Sequence, residues 1–435
     1  MIQTPTALWR LRRVKTFTTK IGSGKTPNGG GESYKDEGII FLRSQNIHFD
    51  GLKLDDVVYI DHEVDHEMRA SRVRNGDVLV NITGASLGRV TYVPDGFGRA
   101  NVNQHVCIVR PSKDADTRFL SYALSALNAQ EQISSLQVGG NRDGLNLEQL
   151  GNLKLPLPSL REQRRIADFL DAEVARIDGL TEAQRRVTHL LRERRDVGVI
   201  SHITGLAEPS QRTSRLAWTD VLPAHWPEVR LGLVARMGSG HTPSRSHPEW
   251  WTDCIIPWIT TGEVSQVRDD RREVITETRE RISALGLANS AAELHPPGTV
   301  VLCRTASAGY SAVMGDSMAT SQDFVTWTCG PRLNPFYLLW CLRAMRQDLL
   351  GRLAMGSTHK TIYVPDLQML RIPLPELYEQ QQIVERIRED NARIDQLIDA
   401  VHRQLQLLAE RRQALITAAV TGQIDVTTAR GVEVS

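Results

Sequence analysis

One segment of this chain occurs twice. The sequence LPLPSLREQRRIADFL begins at Leu155 and IPLPELYEQQQIVERI begins at Ile372, so the copies are offset by 217 residues in a chain of 435. The offset is unchanged through the motifs that follow, which are RID, ERR and a final Thr-Gly. One inserted residue turns every later side chain of a helix by about 100°, so a constant register over about fifty residues is typical of a continuous helix. The sequence therefore predicts two related units in tandem, each with a long helix.

Both helical copies carry an apolar stripe and clear end signals. Each follows a Pro-x-Pro segment and ends before a glycine, Gly205 or Gly422, suited to a left-handed C-cap. At 1.5 Å per residue each helix spans roughly 65 Å, so its stripe needs an elongated partner, for which the other copy is the obvious candidate. The predicted coiled-coil core consists of Ile166, Leu170, Ile177, Leu180, Leu191, Ile383, Ile387, Ile394, Leu397 and Leu408.

The two globular halves have diverged more than the helices. Predicted strands include GDVLVNITG and GTVVLCRTA, and predicted helices include RFLSYALSAL and NPFYLLWCLRAM, so the fold class is α+β. Shared marks include GSGKTP in the first half and GSGHTP in the second. The predicted boundaries are a first globular domain at 1–158, a first helix at 159–205, a linker at 206–222, a second globular domain at 223–375, a second helix at 376–422 and a tail at 423–435.

Composition restricts the setting of the protein. With 41% hydrophobic and 24% charged residues and no apolar run near the ~18 residues of a membrane span, no membrane partner is expected. The five cysteines lack CxxC spacing and the N-terminus lacks a secretory signal, which favours the cytoplasm. The net charge of +1 does not indicate nucleic-acid binding, although the first 27 residues contain six Lys or Arg and no acid. Such a cluster is also compatible with a solvated face that has no partner.

The arrangement resembles the specificity subunits of type I restriction-modification systems. The motifs that carry the resemblance are PLPSLREQRRI, with RID and ERR after it, and PLPELYEQQQI, with RID, ERR and TAAVTGQID after it, and nearly the whole chain is covered. The resemblance implies that the globular halves are target recognition domains, each reading one half of a split site in double-stranded DNA. It also implies that the helices form an antiparallel coiled coil, which spaces the domains and docks the methyltransferase subunits.

Antiparallel pairing would relate the two units by a pseudo-twofold axis. Duplex DNA has a local twofold of its own, so such a protein can place two domains on one face of the duplex with a fixed half-site spacing. Because the two domains differ in sequence, we expect the half-sites to differ as well. Parallel pairing, with both domains at one end, is the alternative arrangement. The alternative function is a coiled-coil interaction scaffold without DNA specificity.

Polar residues in the paired motifs are the candidates for DNA contacts. Arg and Lys suit guanine, and Asn and Gln suit adenine, because of the positions of their donors and acceptors. Each of these side chains can instead face solvent, pack or cap, and for the two paired glutamines the structural alternative is equally good. The candidates are Lys25, Arg43, Gln45, Asn46, Gln104, Asn141, Arg142, His241, Gln322, Thr358, His359 and Lys360.

Two strings suggest other chemistry. GSGKT lacks the first glycine of a phosphate-binding loop, since residue 19 is Thr, and its copy has His241 in place of Lys25. The stretch from His62 to His66 matches HExxH, but its surroundings are strongly charged, no third ligand is evident and the second half has no counterpart. We therefore predict no metal site, and we interpret this stretch as a solvated connection before the GDVLV strand.

The chain is predicted not to be an enzyme. A methyltransferase of the kind implied by the resemblance carries a [DNS]PP[YFW] tetrapeptide, whereas the only Pro-Pro here lies in HPPG. The resemblance implies two methyltransferase subunits that use S-adenosylmethionine and two restriction subunits that use ATP and magnesium, with no cofactor bound by this chain. The recognised bases and the spacer are not set by any motif, because loop conformation and DNA shape decide them.

Overall fold

A computed structural model describes residues 9–137, 144–355 and 361–427. The chain divides into two compact units. Unit 1 consists of Met1–Gln184 with Arg403–Ser435, and unit 2 consists of Arg185–His402. Each unit therefore contains one globular domain and a part of each long helix.

The globular domain of unit 1 is built from short strands and short helices. The helices are α1 (His62–Glu67), α2 (Thr117–Ser125), α3 (Leu127–Ser135) and α4 (Leu147–Asn152). The strands are β1 (Leu11–Arg13), β2 (Thr18–Ser23), β3 (Ile39–Leu42), β4 (Ile47–His48), β5 (Gly51–Leu52), β6 (Val58–Ile60), β7 (Val78–Asn81), β8 (Val90–Tyr92), β9 (Ala100–Val102), β10 (Val106–Pro111) and β11 (Lys154–Pro156). A four-stranded antiparallel sheet has the order β2-β10-β7-β8, a three-stranded sheet has the order β6-β3-β9, and β1–β11 and β4–β5 are two-stranded pairs.

The long helix α5 (Leu160–Thr204) leads from unit 1 into unit 2. The later helices are α6 (Ala284–Ala288), α7 (Pro335–Ala344), α8 (Arg346–Asp348), which continues into a π-helical turn at Leu349–Leu353, α9 (Val364–Gln368) and the long α10 (Leu377–Thr421). The strands of unit 2 are β12 (Gln211–Thr213), β13 (Val221–Pro223), β14 (Glu228–Arg230), β15 (Ala235–Ser239), β16 (Ile256–Ile259), β17 (Val274–Ile275), β18 (Glu280–Ile282), β19 (Val300–Cys303), β20 (Ser311–Met314), β21 (Ala319–Thr320), β22 (Phe324–Cys329), β23 (Ala354–Met355), β24 (Thr361–Ile362) and β25 (Arg371–Pro373).

Unit 2 repeats the sheet topology of unit 1. The order β15-β22-β19-β20 corresponds to β2-β10-β7-β8, with β17 added at the edge, and β18-β16-β21 corresponds to β6-β3-β9. The pair β14–β25 corresponds to β1–β11. The prediction that the globular halves are diverged copies of one mixed α/β fold is therefore confirmed.

The segment predicted to be a linker, 206–222, is partly regular. It contains β12 and the first residues of β13, which pair antiparallel. Arg212 holds this hairpin on the domain, because its guanidinium donates to the carboxylate of Glu228 (2.8 Å) and to the carbonyl of Trp226 (2.6 Å).

The two long helices are confirmed, and their bounds keep the 217-residue offset at both ends. Each has 45 residues. The hydroxyl of Ser159 accepts a hydrogen bond from the amide of Glu162 (3.3 Å), which caps the start of α5. Gly205 (φ 59°) and Gly422 (φ 76°) are left-handed, as a helix C-cap requires.

A buried glutamine accounts for the occurrence of the PLPxLxEQ motif in both copies. The side chain of Gln163 is fully buried; its oxygen accepts from the amide of Asp116 (2.8 Å), and its nitrogen donates to the carbonyls of Asp114 (3.0 Å) and Pro158 (2.9 Å). Gln380 repeats this arrangement in unit 2 with the amide of Asn334 and the carbonyls of Arg332 and Pro375. Because Asp116 and Asn334 cap α2 and α7, the same glutamine fixes each long helix to the helix of its own domain.

The long helices contact each other within each unit. In unit 1 the guanidinium of Arg412 lies 3.3 Å from the carboxylate of Asp178. In unit 2, Arg195 forms an ion pair with Asp395, and the ring of His202 lies 2.9 Å from Asp390. Since a later residue of α5 meets an earlier residue of α10, the helices run in opposite directions within unit 2.

Eight of the ten predicted coiled-coil positions are buried or half-buried. The buried ones are Ile166, Leu170, Ile177, Ile383, Ile387 and Ile394, and the half-buried ones are Leu191 and Leu408.

The other two, Leu180 and Leu397, are 46% and 53% exposed, which corrects the prediction. A step of four residues turns a helix closer to a full circle than a step of three, so the inward position after Ile394 falls on Ile398, which is buried. Several core positions also pack into their own domain: Ile166 and Leu170 belong to the same cluster as Phe119 of α2.

Among the described residues, no helix is both long and apolar enough to cross a membrane.

Candidate nucleic-acid interface

Three loops of unit 1 meet at one end of its four-stranded sheet. They are residues 24–27 after β2, residues 82–83 after β7 and residues 103–105 before β10, which together we call the loop end of unit 1. The amide of Ile82 donates to the carbonyl of His105 (2.9 Å), and the Thr83 hydroxyl lies 2.5 Å from the imidazole of His105. Neighbouring strands in an antiparallel sheet bring these loops together although they are far apart in sequence.

The glycine turn after β2 is required by a close backbone approach. A Cβ at Gly24 would lie 1.8 Å from the carbonyl oxygen of Val102, so any larger residue would displace the strand. In unit 2, a Cβ at Gly240 would lie 2.2 Å from the carbonyl oxygen of Thr320. The GSGxTP motif is therefore a turn that packs against the residues before β10 or β22, in agreement with its interpretation as a turn.

A threonine and a glutamine pair across this turn in both units. The hydroxyl of Thr26 donates to the side-chain oxygen of Gln104, and that of Thr242 donates to the side-chain oxygen of Gln322 (2.5 Å). Both glutamines are exposed, and Lys25 and His241, one residue before each threonine, are exposed as well. The structure thus brings four of the predicted contact residues together in matching pairs. Each glutamine makes a structural hydrogen bond through its side-chain oxygen and is nevertheless exposed to solvent.

Two isolated β-bridges lie beside the loops that follow β7 and β19. Gly144 forms a β-bridge with Thr83, and Thr361 forms a β-bridge with Thr305. Five other predicted residues lie outside the described part of the chain; they are Asn141, Arg142, Thr358, His359 and Lys360.

The predicted residues that follow β3 differ in burial: Arg43 is partly exposed, Gln45 is exposed and Asn46 is buried. The carbonyl of Ser44 accepts from the side chain of Asn81 at the end of β7 (2.7 Å), which places this loop beside the loop end. The guanidinium of Arg43 donates to the carbonyl of Asp56 (2.7 Å), and the side-chain amide of Gln45 donates to the carboxylate of Asp56.

Asn46, by contrast, is fully buried. Its side-chain oxygen accepts a hydrogen bond from the backbone amide of Arg43 (2.9 Å), and its side-chain nitrogen donates one to the carbonyl of Lys53 (2.9 Å). Asn46 therefore shapes the loop, which corrects its prediction as a DNA contact.

Unit 2 places different side chains at its corresponding loop end, which consists of residues 240–243, 304–305 and 321–323. The guanidinium of Arg304 donates to the carbonyl of Gln322 (3.0 Å), so a cation stands beside the glutamine. We did not predict Arg304. The signal was present, because aligning GDVLVNITG with GTVVLCRTA sets Arg304 opposite Ile82.

The loop that follows Gly240 is rich in aromatic residues. The ring of His247 stacks on Trp250 with centroids 4.3 Å apart, and the guanidinium of Arg245 lies 4.6 Å from the ring centre of Trp251. The corresponding loop of unit 1, residues 24–38, is rich in glycine and has a single aromatic residue, Tyr34. The two units therefore share one frame and surround it with different chemistry.

The HExxH string has a structural role in α1. The side chain of Asp65, inside the string, is fully buried, and it accepts from Arg72 (2.6 Å) and Asn101 (2.7 Å) and pairs with Arg99. Burial opposes ionisation of Asp65, but the hydrogen bonds and positive charges of these partners lower its pKa below the usual value. The solvated connection that we predicted is instead a short helix anchored by a buried ion pair. Within the described ranges, no group of three or more His, Cys, Asp and Glu side chains is placed to hold a metal.

Comparison with known proteins agrees with this duplicated architecture. A sequence model of the family "Type I restriction modification DNA specificity domain" matches residues 9–187 and again residues 223–404. The two matches cover most of the chain, one in each half, and the chain belongs to this family.

The relatives have low sequence identity to this chain, but the similarity extends over most of its length. The chain is 22% identical over 340 residues to the EcoBI type I restriction enzyme specificity subunit of Escherichia coli, covering 75% of this chain and 69% of that protein. A chain from the solved structure "Structural basis underlying complex assembly and conformational transition of the type I R-M system" superimposes with a TM-score of 0.68 at 21% identity, covering 97% of this chain and all of that one. The HsdS subunit from Thermoanaerobacter tengcongensis gives a TM-score of 0.52 at 19% identity, over 98% of this chain and all of that one. At these identities the structural likeness concerns the fold.

Proposed function

We propose that this chain reads an asymmetric, bipartite DNA sequence as the specificity subunit of a type I restriction-modification complex. The observation that carries the proposal is that the two loop ends share the glycine turn and the Thr–Gln pair but differ in the residues around them. Contacts to the phosphate backbone position a protein on DNA, whereas contacts to base edges select a sequence. A common frame with different surroundings suits two domains that bind the same kind of duplex and read different bases.

The side chains at the loop ends have suitable chemistry. Gln104 and Gln322 are exposed, and a glutamine amide can bond the N6 and N7 positions of adenine in the major groove. In unit 1, Lys25 adds a cation, while in unit 2 Arg304 supplies a guanidinium suited to guanine or phosphate. We also propose Asn141, Arg142, Thr358, His359 and Lys360 as contacts, because Gly144 and Thr361 form β-bridges with Thr83 and Thr305 at these loop ends.

We propose further that α5 and α10 form an antiparallel coiled coil that relates the two domains by a pseudo-twofold axis. Support comes from the opposite directions of the helices within unit 2 and from the crosswise ion pairs between the ERR and RID motifs. This geometry would present two domains to one face of the duplex at a fixed separation. The proposal places the domain boundaries where the repeat predicts them, at the Pro-x-Pro segments and the Thr-Gly ends.

The helices also expose apolar residues at matching positions. Leu190 and Leu407, related by the 217-residue offset, are 52% and 62% exposed, and Leu180 and Leu397 are exposed in the same way. Exposed leucines on a helix suit burial against another helix. We assign these positions to the docking of two methyltransferase subunits. Two restriction subunits would complete the complex.

In this assembly the catalysis belongs to the partners. S-adenosylmethionine would be bound by the methyltransferase subunits, and ATP and magnesium by the restriction subunits, while this chain places the DNA. We place the proposed complex in the cytoplasm, which the cysteine spacing favours.

Methylation mapping tests the proposal. The chain is produced with a methyltransferase subunit from the same host, and modified adenines are located by sequencing DNA from cells with and without this chain. The expected result is methylation at one asymmetric two-part sequence, present only when this chain is present. Assembly of a stable complex without sequence-specific methylation would instead support the scaffold alternative and refute a specificity role.

A further inference from the structure

A two-stranded ribbon in unit 1 places two cations side by side. In the antiparallel pair β1–β11, Arg13 lies directly opposite Lys154, and both residues are exposed. Residues directly opposite each other in an antiparallel pair point to the same face, and like charges in such positions destabilise the pair. The arrangement therefore costs stability unless an anionic group lies over it.

Unit 2 repeats the same juxtaposition. In the pair β14–β25, Arg230 lies directly opposite Arg371, and both residues are exposed. These positions follow from Arg13 and Lys154 by the 217-residue offset. Two domains that have diverged in most of their surface residues have thus kept a cation at all four places.

The four cations lack acidic partners within the described ranges. No carboxylate of residues 9–137, 144–355 or 361–427 forms an ion pair with any of them, and the one side-chain hydrogen bond is from Arg371 to the carbonyl of Glu228 (3.0 Å). By comparison, Arg12, the neighbour of Arg13, donates to the carbonyl of Thr16 (3.3 Å). The ribbon cations are available to an external anionic partner.

The location of the ribbon favours a protein partner over DNA. In unit 1, four residues separate the end of β1 at Arg13 from the start of β2 at Thr18, and β2 ends at Ser23 beside the glycine turn. A strand of six residues spans roughly 17 Å, so the ribbon lies toward the opposite end of the sheet from the loop end. The ribbon instead lies close to the long helix in sequence, because only residues 157–159 separate β11 from α5.

We infer that the paired cations of each ribbon, Arg13 with Lys154 and Arg230 with Arg371, bind an acidic surface of the methyltransferase subunit, one subunit at each ribbon. This inference rests on the proposed function, which supplies two identical partners for two matching sites. An exposed leucine lies in or next to each ribbon, Leu11 (56% exposed) in β1 and Leu233 (78% exposed) shortly after β14. Apolar side chains within a charged surround are typical of protein interfaces.

Charge reversal tests the inference in the full chain. One variant carries Arg13→Glu with Lys154→Glu, and another carries Arg230→Glu with Arg371→Glu. The matched control, Arg69→Glu with Arg74→Glu, makes the same change of charge at exposed residues of unit 1 outside the ribbon and the loop end. The affinity for the purified methyltransferase subunit is measured at several salt concentrations, and DNA affinity is measured with that subunit in saturating excess.

The expected result is at least a tenfold loss of methyltransferase affinity for each ribbon variant, with a weaker salt dependence than for the wild type. DNA affinity of the saturated complex should stay within twofold, and the control should behave like the wild type. Unchanged methyltransferase affinity would overturn the inference. A loss of DNA affinity with a smaller salt slope, at unchanged assembly, would overturn it in favour of a phosphate contact.

A single reversal separates docking from folding. Arg13→Glu alone puts opposite charges across the ribbon, so the unfolding temperature should be equal to or higher than that of the wild type while methyltransferase affinity falls. A fall in both would show a folding defect in place of lost docking and would count against the inference. If the wild-type chain itself binds no methyltransferase subunit, the proposed function fails, whereas equal binding by wild type and variants rejects the ribbon site alone.

Discussion

The guanidinium of Arg412 lies 3.3 Å from a carboxylate oxygen of Asp178. Arg412 belongs to the second ERR motif and Asp178 to the first RID motif, and in unit 2 the first ERR motif supplies Arg195 to Asp395 of the second RID motif. Each arginine also donates to a carbonyl of its own globular domain: Arg412 to Phe49 and Arg195 to Asp269, both at 3.1 Å. The ERR and RID motifs therefore form the same contact in both units, an arginine that links the other helix and a globular domain. We call this contact of Arg412 or Arg195 the joint.

This joint predicts unequal roles for adjacent arginines. Arg195→Met removes a guanidinium that is about nine-tenths buried, and it leaves Asp395 with only the more exposed Arg271. We expect the free energy of unfolding to fall by about 2–3 kcal/mol. Arg194→Met, at the exposed neighbour, should change it by less than about 0.5 kcal/mol. Urea unfolding of both variants is the measurement, and equal effects would refute the joint.

The buried glutamine of the repeat offers a second matched pair. Gln380→Ala removes three hydrogen bonds and leaves the amide of Asn334 without its acceptor, so we expect a loss of about 2–4 kcal/mol. Gln381→Ala, one residue later and exposed, should be close to neutral. Denaturant unfolding followed by circular dichroism distinguishes them; a neutral Gln380→Ala would mean that the helix is attached to its domain by other contacts.

The loop ends predict separable effects on the two half-sites. Gln104→Ala should relax selection at one base of one half-site by about 1–3 kcal/mol and leave the other half unchanged, and Gln322→Ala should do the converse. Methylation of a library with randomised half-sites measures both. Thr26→Val, which removes the donor that holds Gln104, should weaken selection at the same base less strongly. Changes spread over both half-sites would contradict the assignment.

The helices predict the length of the spacer between half-sites. Seven residues inserted after Gln184 together with seven after His402, the positions where the units divide, keep the helical faces nearly in phase. They add about 10 Å, or three base pairs at about 3.4 Å each, so the spacer should grow by about three. Insertion into α5 alone is the control and should disrupt the joint. A methylation map with the original spacer would refute the ruler role.

Asp65 predicts a dependence of stability on acid. Its pKa is lower in the folded chain than the value near 3.9 of an unfolded aspartate, so its stabilisation is present above about pH 4 and is lost as the pH falls through the folded value. Asp65→Asn should destabilise unit 1 by about 3 kcal/mol at neutral pH, and the difference from the wild type should shrink as the pH falls below about 4. Glu63→Gln, exposed in the same helix, is the control. A difference independent of pH would exclude the ion pair as the cause.

The sequence predicted the helices well because their signals are local. The Pro-x-Pro starts and the glycines after Thr204 and Thr421 each act within a few residues, and the observed helices run from Leu160 to Thr204 and from Leu377 to Thr421. It predicted less well which face is buried. Leu180 and Leu397 fit the apolar spacing, but the packing of the neighbouring residues turned them outward.

The candidate site depends on pairing across long separations. Thr26 and Gln104 are joined over 78 residues, and Arg304 comes beside Gln322 only because β19 and β22 are neighbours in the sheet. Local sequence rules do not indicate which loops such pairing brings together. Asn46 shows the same limit, since nothing in its immediate sequence marks it as buried.

The sequence by itself determined that the chain contains two copies of one plan, two long helices and two diverged mixed domains, because repetition and helical periodicity are written along the chain. Tertiary structure alone decided which residues share a surface. It set Asp65 of the HExxH string in a buried ion pair and set Arg13 opposite Lys154. It also paired the second arginine of each ERR motif with the RID aspartate of the other copy. These contacts arise from strand register and helix packing, which join residues that are distant in sequence.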